Sequence, residues 1–218
     1  QVVIANPAGI TCDGCGFINA QRVTLTTGTP ILNGGALEGY RVQGGVIHIA
    51  GGGLDTRQSE YTDVIARAVE LNAGIWAKAL SLTTGANQVN TDNTQATPIS
   101  SIGTAPAFGI DIALLGGMYA KKIFLVGTEA GVGVRNAGRI AATAGDVCIS
   151  SEGRLYNSGQ ISSAMQLRVD TASFDNGSTG NIEANTVDLQ VADTLTNRGL
   201  INGVDTFINA GTLNNLGT

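Results

Sequence analysis

Charge is the first thing this chain has little of. Only 13% of its residues are Asp, Glu, Lys or Arg, about half the usual share of a globular protein. Just three of the twelve basic residues are lysines, Lys78, Lys121 and Lys122, and the net charge is −5. Without a basic stripe, nucleic acid is not an expected partner. Aromatics are also scarce, at 5% with a single Trp, which argues against a stacking platform for sugars. There is one histidine, His48, in the alternating stretch "VIHIA", so no Ser-His-Asp arrangement can be argued. No apolar run approaches the ~20 residues of a membrane-spanning helix, and no secretory leader pattern is present.

Apolar residues nevertheless make up 43% of the chain, and 31 of its 218 residues are glycine. Disordered chains combine high charge with low hydrophobicity; this composition is the opposite and should fold. Thr, Val, Asn and Gly suit many short strands joined by tight turns. The chain opens on "QVVIA", which reads as mid-strand, and closes on "GTLNNLGT", inside a repeat. Both ends read as cut ends of a longer protein.

The repeat is apolar-x-Asn-x-Gly-x-apolar. It occurs as "VRNAGRI" (134–140), "LYNSGQI" (155–161), "LTNRGLI" (195–201) and "FINAGTL" (207–213), with a looser "FDNGSTGNI" (174–182). The leading positions Val134, Leu155, Phe174 and Leu195 are 21, 19 and 21 residues apart. The last copy comes early, and "LNNLG" starting at Leu213 is an alternative register. Between the corners lie alternating segments, "GDVCIS" (145–150), "MQLRVD" (165–170) and "NTVDLQV" (185–191), the pattern of strands with one buried face. A period near 20 residues matches one rung of a β-solenoid, in which equivalent corners stack. A β-sandwich has no reason to repeat one corner at that spacing. Gly138, Gly159 and Gly199 are expected to supply left-handed corners. Asn136, Asn157 and Asn197 are expected to bond to one another along the axis.

The middle of the chain is less regular. Residues 59–82 fit a helical face at Tyr61, Val64, Ile65 and Ala68, and a strand from Val69 to Ile75; strand is the preferred reading from about Val64. Residues 87–109 have turn composition and are expected to leave the solenoid as a hairpin or excursion.

Three chemistries compete for Cys12-Asp13-Gly14-Cys15. Half a zinc site would need Cys148 and His48, with no second paired motif. A thioredoxin-like centre should open a helix, whereas "GFINAQRVTLTTG" is strand-like. The third reading is a structural turn, closed by a short disulfide in an oxidising compartment. Cys148 is expected in the core. The acids Asp55, Glu60, Asp63, Asp111, Glu129, Asp146, Glu152 and Asp170 are scattered, with surface solvation as their default. No metal or cofactor is expected, and Asn176-Gly177-Ser178 reads as a corner, not a glycosylation site.

Residues 2–30, "VVIANPAGITCDGCGFINAQRVTLTTGTP", resemble the signature of the two-partner secretion domain. That domain opens filamentous-haemagglutinin-like adhesins, large haemolysins and contact-dependent growth inhibition exoproteins. The family's Asn-Pro-Asn-Gly-Ile motif stands here as Asn6-Pro7-Ala8-Gly9-Ile10, and Ala8 suits the i+2 position of a type I turn. "GLDTRQSEYTDVIARAVELNAGIWAKALSLTTGANQV" (53–89) and "LGGMYAKKIFLVGTEAGVGVRNAG" (115–138) are similar to the family too. Its upstream Asn-Pro-Asn-Leu motif and N-terminal cap are absent.

The resemblance implies an all-β, right-handed parallel β-helix with extra-helical loops or hairpins. It implies a non-enzymatic secretion and scaffold segment, with 1–138 in the secretion domain and 139–218 in the repeat shaft. The implied partner is an outer-membrane β-barrel transporter, whose periplasmic domains would recognise Asn6, Pro7, Gly9 and Ile10; a host or target-cell surface is the further partner. The route is through the periplasm to the cell surface or medium, and Cys12 and Cys15 would then be a disulfide turn. The competing function is a carbohydrate-binding or polysaccharide-cleaving β-helix.

Overall fold

Period-two alternation along most of the chain leaves one face of each strand apolar, and three stacks of parallel strands bury those faces against one another. In the computed structural model, which describes residues 1–218, no residue is helical. The first face stacks Val2–Ala5, Arg22–Thr26, Tyr61–Ala66, Ala79–Thr84 and Lys122–Gly127. Segments 147–151, 167–171, 187–191 and 206–210 continue it. The second face runs from 10–13 through 46–49, Ala68–Leu71, 110–112 and Gly133–Asn136. It goes on through 155–157, 174–176, 195–197 and 213–215. The third face includes Gly74–Trp76, Gly117–Ala120 and Arg139–Ala142, continued by 160–163, 181–184 and 200–203. The result is a three-sided parallel solenoid of nine rungs.

One continuous core of 38 buried residues fills it, from Cys12 and Val23 near one end to Leu189 and Leu195 near the other. Each buried Val, Leu or Ile contributes roughly 1.5–3 kcal/mol relative to exposure, and these three types make up most of that core. Residues 59–82 hold four short strands and no helix, Tyr61–Ala66, Ala68–Leu71, Gly74–Trp76 and Ala79–Thr84.

Two excursions leave the solenoid and meet outside it. Thr29–Asn33 and Ala36–Val42 form a hairpin, joined antiparallel to Asn87–Asn90 and Ala96–Pro98. The second pair is the excursion expected from residues 87–109. The first turns at Gly34 and Gly35, both with positive φ (57° and 87°), the Asn-Gly type of hairpin corner. This small sheet covers the outer side of the first face through Tyr40, Val42, Val89 and Ile65. Its two edge strands carry Pro30 and Pro98, residues that blunt an edge against further pairing.

Three expectations need correction. Gly138, Gly159 and Gly199 do not have positive φ. They are small because a Cβ on Gly138 would fall on the Gly116 carbonyl oxygen, one on Gly159 on that of Gly138, and one on Gly199 on that of Gly180. The last rung aligns Leu213 with Leu195 and Asn215 with Asn197. "FINAGTL" is therefore not a corner copy: its Asn209 sits on the first face opposite Gln190. Cys148 points outward, half-buried between Phe124 and Arg168, because Val147 and Ile149 take the inward positions.

Candidate functional site

Asn6, Pro7, Ala8 and Gly9 make the corner between the first and second faces of the first rung. The Gly9 amide donates to the Asn6 carbonyl at 3.0 Å, closing a four-residue turn. The Ala8 amide donates to Asn6 Oδ1 at 3.2 Å, so the Asn side chain braces its own turn. The Asn6 amide in turn donates to the Thr26 carbonyl of the next rung at 2.9 Å. Gly9 has φ 124°, and a Cβ there would sit 3.0 Å from the Val46 carbonyl oxygen. Asn6, Pro7 and Ala8 are exposed, while Ile10 turns inward, half-buried, opposite Ile47. The four predicted residues thus share one corner, Asn6 and Pro7 at its surface, Gly9 half-buried and Ile10 anchoring it.

The Cys12–Cys15 turn is the next corner of the same rung. The structure joins the two cysteines in a disulfide, with Cα atoms 5.6 Å apart. Cys12 is fully buried, and Asp13 Oδ1 accepts a hydrogen bond from the Gly52 amide below at 2.7 Å. Cys12 lies over Ile49, Leu71, Ile112 and then Asn136. The cysteine turn and the Asn-Gly corners are therefore one column, a relation the sequence did not show.

From Asn136 onward that column is an amide ladder. Asn136 Nδ2 donates to Asn157 Oδ1 at 2.8 Å, Asn157 to Asn176 at 2.8 Å, Asn176 to Asn197 at 2.9 Å and Asn197 to Asn215 at 2.8 Å. The amides of the first four are almost fully buried, which rules the Asn176 sequon a corner. Asn136 Oδ1, at the head of the ladder under Ile112, is buried without a donor.

Five of the eight scattered acids have bases of their own. Asp55 meets Arg57, Glu60 meets Lys78, and Asp111 meets Arg135. Two pairs that sequence reasoning missed are more enclosed. Asp63, 3% exposed, is 2.6 Å from Arg22; burial pushes its carboxyl up, against the pull of that guanidinium. Arg67, 6% exposed, grips both Glu129 oxygens at 2.7 and 3.1 Å. His48 stands on the outer face with Nδ1 3.1 Å from Glu70.

A three-sided parallel solenoid with an extra-helical sheet and a braced Asn-Pro turn at its rim is the architecture of a secretion module of large exoproteins. The model of the TPS secretion domain matches residues 1–157, and the chain belongs to that family. It is 59% identical over 174 residues to the toxin CdiA of Yersinia pestis, a match covering 79% of this chain and 5% of that protein. The tRNA nuclease CdiA-2 of Burkholderia pseudomallei is 50% identical over 165 residues, 75% of this chain and again 5% of the relative. The chain thus spans about a twentieth of the curated relatives it matches, and the nuclease activity in such names is said of those whole proteins. Among solved structures, the crystal structure of a filamentous hemagglutinin secretion domain superposes with a TM-score of 0.67 at 28% identity. That match covers 98% of this chain and 66% of the other. Family and fold are those of a non-enzymatic, secretion-related segment of a secreted or cell-surface exoprotein of Gram-negative bacteria. A domain of this family implies a two-partner outer-membrane transporter as partner.

Proposed function

We propose that this segment is read by the periplasmic domains of that transporter, and that Asn6, Pro7, Gly9 and Ile10 build the surface they read. The observation that carries this is the turn itself: exposed, yet fixed by three hydrogen bonds and stacked on the rung below. A pre-organised turn loses little conformational freedom on binding, which leaves more of its interaction energy as affinity. Residues 1–138 act as the secretion domain and 139–218 as the first rungs of a shaft, the change from apolar column to asparagine ladder at Asn136 supporting that boundary. The parent is a contact-dependent growth inhibition rod. It crosses the periplasm, where Cys12 and Cys15 oxidise, and presents its shaft toward a target-cell or host surface. Each rung rests mainly on its neighbour, so the shaft can add rungs as the chain emerges.

The test is binding to purified periplasmic domains of the transporter. Asn6→Ala should weaken a saturable wild-type interaction by about tenfold, roughly 1.4 kcal/mol, with the strand-rich circular dichroism spectrum unchanged. Equal binding by both chains would reduce the turn to a corner of the scaffold.

A further inference from the structure

The buried ion pair Arg67–Glu129 holds more than itself. With Nε and Nη2 on Glu129, Arg67 uses Nη1 to donate to the Ile102 carbonyl at 2.7 Å. Ile102 lies on the strap that brings the second excursion back to the solenoid. The strap is tied at three more points. The Ile99 amide donates to Ala86, the Ile102 amide donates to the Gln43 carbonyl at 2.9 Å, and Gln43 Nε2 donates to the Ser100 carbonyl at 3.3 Å. All of this fixes a residue whose own side chain packs on little, since Ile102 is 65% exposed. Burying a guanidinium–carboxylate pair carries a desolvation cost of several kcal/mol per ion, and an isolated exposed isoleucine does not require one.

The place where Ile102 is held is informative. Segment 43–46 has the strap on one side and the Asn-Pro turn on the other. Gln43 accepts the Ile102 amide, and a Cβ on Gly44 would be 3.9 Å from the Ile102 oxygen. One residue on, a Cβ on Gly45 would meet the Pro7 oxygen at 2.7 Å, and Val46 lies under Gly9. Two exposed features that are 96 residues apart in sequence are therefore fixed against the same four residues.

We propose that Ile102 is a second anchor of the transporter-recognition surface and that Arg67 is the positioning residue that sets it beside the Asn-Pro turn. The inference rests on the transporter reading above. The partner it fits is a protein surface with an apolar depression for Ile102 next to groups that hydrogen-bond the exposed Asn6 turn, the pairing of buried anchor and polar rim found at binding hot spots.

The experiment measures affinity for the same periplasmic domains with the whole 218-residue chain. Ile102→Asp should weaken binding about tenfold or more, as loss of an anchor does. Ile102→Val should bind within about twofold of wild type. Neither should move the urea midpoint, because the side chain is mostly in solvent. Arg67→Lys loses the fork geometry; it should raise hydrogen exchange across 99–104 and weaken binding by about threefold. In the Ile102→Asp background it should add no further loss, the mark of a residue acting through another. Wild-type binding that Ile102→Asp leaves intact would overturn this inference and spare the transporter reading. An additive Arg67→Lys loss would remove its positioning role. Absence of wild-type binding would overturn the transporter reading, and this inference with it.

Discussion

Rungs one to four and rungs five to nine share one cross-section but are held together differently. In the first region, successive strands of the first face leap from Val23 to Thr62 and from Leu80 to Ile123, because the two excursions intervene. Its second corner is lined by Cys12, Ile49, Leu71 and Ile112, and its cross-links are specific: a disulfide, Arg22–Asp63 and Arg67–Glu129. In the second region Val147, Leu167, Val187 and Thr206 follow at 20, 20 and 19 residues. There the Asn-Gly corner is repeated from rung to rung, and inter-rung ion pairs such as Arg154–Asp175 and Arg198–Asp175 have half-exposed arginines. On the reading proposed above, a surface that is to be recognised must differ from rung to rung, whereas a shaft need only extend.

Glycine gives the largest expected separation between the regions. Gly159→Ala would drive a methyl group onto the Gly138 carbonyl oxygen, so neighbouring rungs must part; a loss of about 4 kcal/mol or more is expected, in the range of severe steric mutations. Gly34→Ala meets no atom within 4 Å and strains only its positive φ of 57°, for about 1–2 kcal/mol. Urea unfolding followed by circular dichroism measures both, and equal costs would erase the distinction between corner and hairpin glycines.

The ladder sharpens the comparison at its boundary. Asn157→Leu removes two amide–amide bonds and strands Asn176 Oδ1, costing about 3 kcal/mol. Asn136→Leu removes one such bond and strands Asn157 Oδ1, but it also removes an oxygen that already has no donor, and should cost about 2 kcal/mol. Thermal melts of the two variants should differ in that order; the reverse order would mean that the ladder does not begin at Asn136.

The smallest effect is a pH slope confined to the first region. Burial raises the Asp63 carboxyl above its ordinary value, so between the two values the folded chain keeps a proton that the unfolded chain has released. Stability therefore falls as pH rises through that window. Asp63→Asn should flatten the slope in urea titrations from pH 4 to 7. A wild-type slope steeper in the opposite sense than that of Asp63→Asn would show Arg22 outweighing burial.

Rungs five to nine were the more legible region in the sequence. Asn136, Asn157 and Asn197 announce the period, and the structure confirms the axial amide bonds expected of them, although the glycines turned out to make room for a carbonyl rather than a left-handed turn. The Asn33-Gly34-Gly35 hairpin carried a readable signal that glycine counting passed over. The enclosed pairs carried none. Arg67 and Glu129 are 62 residues apart and Arg22 and Asp63 are 41 apart; which rung faces which depends on how much chain each excursion consumes. The equivalence of Cys12 with Asn136 is hidden for the same reason, since a column has no constant period where insertions interrupt it.

The asparagine ladder also has a sense of direction. From Asn136 to Asn197 each Nδ2 points to the rung that follows, and in three of the four it also reaches a carbonyl there, Gln160 for Asn136, Leu200 for Asn176 and Thr218 for Asn197. A finished rung thus offers the next stretch of chain a hydrogen already aimed at one spot. A segment that arrives one residue early or late faces that hydrogen with a different side chain. The ladder thus marks register: each Asn–Asn bond forms only when the next turn brings its own asparagine to the same place.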